Sequence, residues 1–178
     1  HPGPGEQRLK EAAALIRKSE RPFIIVSGGA QKQGIHEALT KLCDTTGIPV
    51  AHTQMGKGVL ADDHPCSLFT TGIHKRDYVH CGLERSDCII TIGYDVVEYP
   101  PSVWNPDKEK IIIHIDKSSV RTDEWYNPTV EVVGDITKAL DGLRNEIDGT
   151  KESEEIKELK RALGTLRGQV EEANQKCI

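Results

Sequence analysis

The stretch that most constrains the fold is residues 21–34, which read RPFIIVSGGAQKQG. Residues 23–26 form a short, unbroken apolar run rich in branched side chains, which is typical of a strand buried on both faces of a parallel sheet. Ser27, Gly28 and Gly29 then interrupt the run, and apolar residues follow at helical spacing. This order of strand, glycine turn and helix predicts the first half of a βαβ unit. Its turn would place backbone N–H groups at the carboxyl edge of the sheet, where an anion or nucleotide can bind.

The glycine turn does not match the dinucleotide-binding fingerprint. Counted from Gly28, the pattern GxGxxG requires two further glycines, but the chain has Ala30 and Gln33 at those places. The acidic residue that would hold a ribose after the second strand is also missing, because that strand is predicted to end near His52. An NAD-type Rossmann site is therefore disfavoured. Two interpretations stay open, an anion or nucleotide site and a tight turn with a structural role only.

Apolar patterns elsewhere predict four more strands, at residues 48–52, 88–92, 110–115 and 130–133. Helical patterns lie between most of them, so we expect a doubly wound parallel sheet with helices on both faces. The strand ends would then lie along one edge of the sheet, where open α/β sheets bind ligands. These ends are marked by Gly28, Gly56, Gly93, Asp116 and Gly134.

Composition and charge exclude several classes of protein. The 178 residues are 37% hydrophobic and 29% charged with a net charge of −5, which suits one domain with a sizeable core and no basic nucleic-acid footprint. No apolar run approaches the roughly 20 residues of a membrane span. The chain begins without Met, and it is expected to be an excised or processed piece without a signal peptide. The five cysteines form no CxxC pair, which favours a reducing, cytoplasmic setting. Of these, Cys43 and Cys88 are predicted to be small core residues.

Few residues suggest chemistry on their own. The seven histidines lack zinc-site spacing, and no GxSxG, Walker A or HExxH motif is present. Lys57 is either a phosphate contact or a solvated loop residue. Asp116 is either an acceptor for a ribose or an adenine amino group, or a cap of the turn after its strand. His114 is predicted to face away from Asp116, into the core.

Seven short motifs, taken in order, resemble the central domain of thiamine-diphosphate-dependent enzymes, the superfamily of acetolactate synthase and pyruvate oxidase. They are residues 21–30, 47–50, 55–65, 72–74, 86–93, 114–116 and 133–135. Within this superfamily, residues 91–99 followed by Trp104 and Asn105 most resemble acetolactate synthases of the catabolic type. The resemblance implies a six-stranded parallel sheet of the kind found in sirtuins and deoxyhypusine synthase, one strand more than the apolar patterns predict.

The resemblance also implies the activity of a larger parent enzyme. Such an enzyme condenses two pyruvates to acetolactate with loss of carbon dioxide, using thiamine diphosphate and Mg²⁺ held by the domains on either side. The family's cofactor-activating glutamate lies in the first domain and its metal motif in the third, and the Gly134-Asp135-Ile136 segment is not that motif. We therefore expect no catalytic and no metal-binding residue here, and an inactive fragment. The expected partners are the flanking domains of the same chain and further copies of it, in a dimer or tetramer.

Central domains of this superfamily hold FAD, hold ADP or hold nothing. If a nucleotide binds here, the resemblance assigns its contacts to Gly28, Gly29, Met55, Gly56, Gly72, Ile73, His74, Gly93, Asp95, Asp116 and Asp135. FAD-binding members carry an arginine-rich stretch after the Gly93 position. This chain has Asp95 and Glu98 there, which would repel a diphosphate. An empty or nucleotide-only cleft is therefore favoured over FAD.

The predicted organisation is a linker at residues 1–5, the central domain at 6–147, and a linker with an amphipathic helix at 148–178. In that helix, apolar residues alternate by three and four, and it packs either on its own domain or on a partner. Three other functions stay open. The chain could be a free-standing nucleotide-binding regulatory module, the middle domain of another thiamine-diphosphate enzyme such as an oxidase or 2-hydroxyacyl-CoA lyase, or an NAD enzyme of similar fold.

Overall fold

The computed structural model describes residues 3–32, 34–72, 78–120 and 123–148, together with residues 161, 162 and 165. The strands are β1 (Pro22–Val26), β2 (Val50–His52), β3 (Ser67–Thr70), β4 (Cys88–Ile92), β5 (Ile111–Asp116) and β6 (Val130–Val133). The helices are α1 (Glu6–Lys18), α2 (Ile35–Thr46), α3 (Tyr78–Arg85), α4 (Pro101–Trp104) and α5 (Ile136–Ile147).

The six strands form one parallel sheet in the order β3-β2-β1-β4-β5-β6. The predicted doubly wound parallel sheet is therefore confirmed, with the six strands that the resemblance implied. From β1 the chain builds β2 and β3 on one side and then crosses to β4 on the other. This reversal creates a topological switch point between the carboxyl ends of β1 and β4, where sheets of this type form a crevice.

Strand β3 is the one that the apolar patterns did not predict. It has four residues, of which Ser67 and Thr70 are polar, and it pairs only with β2 at the edge of the sheet. Its register with β2 shifts along the pair, and Phe69 adopts a positive φ of 66°. A short, irregular edge strand shows neither the apolar run nor the strict alternation by which strands are predicted.

Helices cover both faces of the sheet. On β1, Ile24 and Val26 point into a core that α1, α2 and α5 complete, while Phe23 and Ile25 point into a core that includes residues of α3 and α4. All residues of β1 and β4 are buried, which explains why both strands are continuous apolar runs in the sequence. Cys43 and Cys88 are core residues, as predicted.

An aromatic cluster holds the segment that follows β4. Tyr94 and Tyr126 have ring centroids 5.2 Å apart, and Trp104 packs edge-on against both rings. The indole Nε1 of Trp104 donates a hydrogen bond to the Tyr94 hydroxyl at 3.0 Å. The long loop predicted between residues 94 and 106 is therefore ordered, and it contains the short helix α4.

One sequence-based expectation falls largely beyond the described residues. The amphipathic helix predicted near the carboxyl end lies outside them, except for residues 161, 162 and 165. Among the residues that are described, no helix is both long enough and apolar enough to cross a lipid bilayer.

Candidate functional site

A cleft of about 400 Å³ lies at the carboxyl ends of β1, β4 and β5, on the switch point of the sheet. It falls within the usual volume range of small-molecule sites. The residues that line it are Gly29, Gly93, Tyr94, Asp95, Val96, Glu98, His114, Asp116, Ser118, Ser119 and Val120. Sequence and topology therefore place the cleft at the edge where a ligand was expected.

The glycines at this edge allow neighbouring turns to pack against one another. The N–H of Gly29 donates to the carbonyl of Gly93 at 2.9 Å, and a Cβ added at Gly93 would lie 2.3 Å from the Ala30 nitrogen. A Cβ added at Gly56 would likewise lie 2.4 Å from the Val26 carbonyl oxygen. Contact between backbones is thus sufficient to require glycine at these positions, whether or not a ligand approaches.

The turn after β1 is occupied by a carboxylate of the chain itself. Glu98 Oε2 accepts hydrogen bonds from the Ser27 hydroxyl at 2.8 Å and from the Thr53 hydroxyl at 2.5 Å. Its other oxygen, Oε1, accepts the Gly28 N–H at 3.3 Å. Ser27 and Thr53 are both fully buried, so this carboxylate satisfies two hydroxyls that water does not reach. Three donors from the ends of β1 and β2 thus converge on one side chain.

The segment that carries Glu98 is fixed by its own hydrogen bonds. Asp95 accepts the Val97 N–H on its side chain at 2.9 Å and the Glu98 N–H on its backbone carbonyl at 3.1 Å. The Tyr94 hydroxyl donates to the backbone carbonyl of Tyr99. The turn between the two tyrosines is therefore preorganised, and it presents Glu98 toward the end of β1.

His114 lines the cleft, and its position corrects the sequence-based prediction. It is buried, as expected, but it lies on the same face of β5 as Asp116, because residues two apart on a strand share a face. Its Nε2 lies 3.3 Å from the Ser118 carbonyl and therefore donates, so the neutral ring accepts from the Tyr126 hydroxyl at Nδ1, 2.9 Å away. Burial lowers the pKa of His114 below 6.5, although the Asp116 carboxylate opposes the shift.

Negative charge dominates the cleft. Three carboxylates line it, Asp95, Glu98 and Asp116, and no Lys or Arg is among the described lining residues. The ammonium groups of Lys32 and Lys117 lie near Asp116. Because Lys117 lies beside it, the pKa of Lys32 is lowered, although the Asp116 carboxylate opposes that shift. The described walls of the cleft therefore offer an anion no lysine or arginine side chain.

The two aspartates predicted from strand ends have local roles. The Asp116 carboxylate accepts the N–H of Lys117 at 2.5 Å, which is the turn-capping role left open above. Asp135 is the N-cap of α5, and its side chain accepts the N–H of Lys138 at 3.0 Å. These contacts account for both side chains without a ligand, although Asp116 also lines the cleft.

The structure brings four of the predicted contact residues together as lining of the cleft: Gly29, Gly93, Asp95 and Asp116. Gly28 lies beside them under Glu98, whereas Met55, Gly56, Gly72 and Asp135 are not among the lining residues. Ile73 and His74 are outside the described part of the chain. Nothing in the geometry tests nucleotide contacts at these positions, which remain predictions.

The described side chains also bear on metal binding and on thiol reactivity. No group of three or more His, Cys, Asp or Glu residues in the described ranges could hold a metal ion. Burial raises the pKa of Cys88 to about 12, and contact with Cys66 together with burial raises the pKa of Cys43, so both thiols stay protonated at neutral pH. The site is therefore a polar, acidic cleft on a rigid support.

Comparison with known proteins gives a consistent family. The thiamine pyrophosphate enzyme central domain matches residues 9–143, which run from within α1 to within α5. The match therefore covers about three quarters of the chain and the whole of the sheet described above.

Several curated proteins are similar to the chain. An acetolactate synthase of Bacillus subtilis (strain 168) is 28% identical over 142 residues, which are 79% of this chain and 25% of that protein. A chloroplastic acetolactate synthase 3 of Brassica napus is 31% identical over 97% of this chain and 26% of its own length. A 2-hydroxyacyl-CoA lyase of Oryza sativa subsp. japonica is 30% identical over 80% and 24%. The chain thus spans about a quarter of the length of the relatives it matches.

Proposed function

Because the chain belongs to the thiamine pyrophosphate enzymes and matches their central domain, we propose that it is the middle domain of an enzyme of the acetolactate synthase type. The observation that carries this proposal is the family match over residues 9–143, a range that includes every strand of the sheet. In this proposal the parent enzyme joins two pyruvates to acetolactate and releases carbon dioxide. The resemblance to the catabolic type is the finer part of the same proposal.

The proposed role of the chain is structural support between the flanking domains. Thiamine diphosphate supplies an electron sink for decarboxylation when it is bound with Mg²⁺, and we place both in those domains. What the chain contributes is a sheet buried on both faces, with a rim whose turns are locked to one another. Assembly as a homo-oligomer in the cytoplasm belongs to the same proposal.

The first test compares the chain with its parent. Purified chain is incubated with pyruvate, thiamine diphosphate and Mg²⁺, and acetolactate is measured after acid conversion to acetoin. We expect no product from the 178 residues alone, and product from the parent enzyme expressed from the complete reading frame. The B. subtilis acetolactate synthase serves as positive control. Acetolactate from the isolated chain would contradict the proposed division of labour.

A second candidate follows from one of the relatives. The rice 2-hydroxyacyl-CoA lyase is 30% identical to the chain, close to the value for the Brassica synthase. The parent is therefore also assayed with a 2-hydroxyacyl-CoA, measuring aldehyde and formyl-CoA. Formation of aldehyde and formyl-CoA without formation of acetolactate would select the lyase and reject the synthase.

A further inference from the structure

We propose that Glu98 is an internal anion that occupies the phosphate position of the cleft, so that the cleft excludes diphosphate-containing nucleotides. The inference concerns this chain's own side chains and goes beyond the proposed function. It does not depend on which reaction the parent enzyme performs.

The donors that hold Glu98 are of the kind that bind a phosphate. Backbone N–H groups after a strand, together with nearby hydroxyls, form the usual anion cradle at the switch point of an open sheet. Here the Gly28 N–H and the hydroxyls of Ser27 and Thr53 all donate to one carboxylate. A phosphate could use these donors only after displacing Glu98.

Space at the turn leads to the same conclusion. A Cβ added at Gly28 would lie 2.9 Å from Glu98 Oε1 and 3.0 Å from Cβ of Met55. No further heavy atom fits between the backbone of the turn and the carboxylate. The diphosphate of FAD or ADP therefore does not fit this turn while Glu98 keeps its position.

Displacement of Glu98 is opposed by its surroundings. Internal hydrogen bonds hold the backbone of the turn from Tyr94 to Tyr99, so the carboxylate leaves only by changing rotamer and giving up its three hydrogen bonds. An incoming anion would also meet the Asp95 carboxylate in the lining of the cleft. Like charges so placed disfavour a phosphate group even where it could reach the donors.

Two substitutions separate charge from occupancy. Glu98→Ala removes both the carboxylate and its volume and frees the three donors, whereas Glu98→Gln removes the charge but keeps the side chain in place. Glu109→Ala makes the same change of charge at an exposed position before β5, at the opposite edge of the sheet. The probes are inorganic pyrophosphate and ADP, with binding measured by titration calorimetry and by thermal shift.

We expect no binding by the unchanged chain or by Glu109→Ala. For Glu98→Ala we expect at least about a tenfold gain in pyrophosphate affinity over both, since charge-assisted hydrogen bonds become available. Glu98→Gln should bind less well than Glu98→Ala, because its amide still fills the turn. Equal, undetectable binding by all the variants in a folded state overturns the proposal, and so does binding by the unchanged chain.

The proposal can also be tested without a destabilising change. In amide NMR spectra of the unchanged chain, millimolar pyrophosphate should leave the Gly28 N–H signal unmoved. The same titration of Glu98→Gln, which conserves the packing of the turn, tests the turn without the negative charge. A shift of the Gly28 signal in the unchanged chain would show that phosphate reaches the turn, and the proposal would then be wrong even if Glu98→Ala fails to fold.

Discussion

At the scale of single residues, Gly93 shows how the rim of the sheet is determined. It adopts a φ of 57°, and a Cβ added to it would point at the backbone of the turn after β1. A left-handed conformation costs an L residue about 1 kcal/mol or more, and here a side chain would also collide with backbone atoms that cannot move away. Gly93 is thus required twice, by its own conformation and by its neighbour.

Comparison of two glycines separates these two requirements. Gly58 has a φ of 86°, but a Cβ added there meets nothing within 4 Å. We therefore expect Gly58→Ala to lower the free energy of unfolding by about 1 kcal/mol, and Gly93→Ala by about 3 kcal/mol or more. Urea unfolding followed by circular dichroism measures both. Equal losses would mean that the close contact at Gly93 relaxes without cost.

Residue patterns predicted the rim but not its contacts. Gly28 and Gly93 could be found because each follows a buried apolar run, which is a local signal. The hydrogen bond between Glu98 and the Gly28 N–H joins positions 70 residues apart, and no local pattern encodes it. The sequence showed only that Glu98 adds negative charge near a glycine turn. The prediction for His114 was wrong for a simpler reason. His114 and Asp116 are two residues apart on one strand, so their side chains share a face.

At the scale of elements, prediction succeeded where a strand shows an apolar run or a regular alternation. Strands β1 and β4 are runs buried on both faces, and β6 alternates between buried and partly buried residues although it lies at an edge, whereas β3 shows neither pattern. Helix α4 was included in a loop because four residues are too few to show a period. Elements with a regular residue pattern are therefore predictable, whereas a short, irregular strand and a four-residue helix are not.

One side chain joins α1, β1 and β4 at the opposite edge of the sheet. Asp87, just before β4, accepts hydrogen bonds from the Ser19 hydroxyl and from the backbone N–H groups of Glu20 and Arg21. Partial burial raises the pKa of Asp87, but these three bonds outweigh it, and the net pKa lies below 3.8. The carboxylate thus fixes the connection through which α1 leads into the central strand.

The lowered pKa gives a prediction with a definite sign. At neutral pH, Asp87→Asn should lower the free energy of unfolding by about 1 to 2 kcal/mol, the range for hydrogen bonds to a charged group reduced by solvent screening. Near pH 3.8 and below, the unfolded chain binds the proton more readily than the folded one, so the contribution of Asp87 is lost as pH falls through its folded pKa. The difference in free energy of unfolding between the unchanged chain and Asp87→Asn should therefore become smaller below pH 3.8.

A matched carboxylate provides the control for this measurement. Asp107 is exposed in the turn before β5. Asp107→Asn should change the free energy of unfolding by less than about 0.5 kcal/mol at neutral pH. If Asp87→Asn and Asp107→Asn behave alike in urea at both pH values, Asp87 does not hold the connection.

At the scale of the whole molecule, the described core extends from α1 to α5. The two hydrophobic clusters draw their buried members from positions 12 to 147, and α5 supplies Ile136, Leu140, Leu143 and other residues to the larger one. Helix α5 packs against both α1 and α2, so three helices cover that face together. The division of the chain near residue 148 stays a prediction.

Two truncations test whether residues 1–148 carry the stability of the chain. A chain ending at Asp148 keeps every buried residue that the structure describes in both clusters, so its free energy of unfolding should lie within about 1 kcal/mol of the full chain. A chain ending at Gly134 loses α5 and exposes the apolar faces of α1 and α2, and it should not fold cooperatively, since truncation of several core residues costs more than the total stability of a typical domain. Urea unfolding gives both the free energy and the m-value, which scales with the surface exposed. If the chain ending at Asp148 instead loses more than about 2 kcal/mol in its free energy of unfolding, the segment after residue 148 packs on this domain.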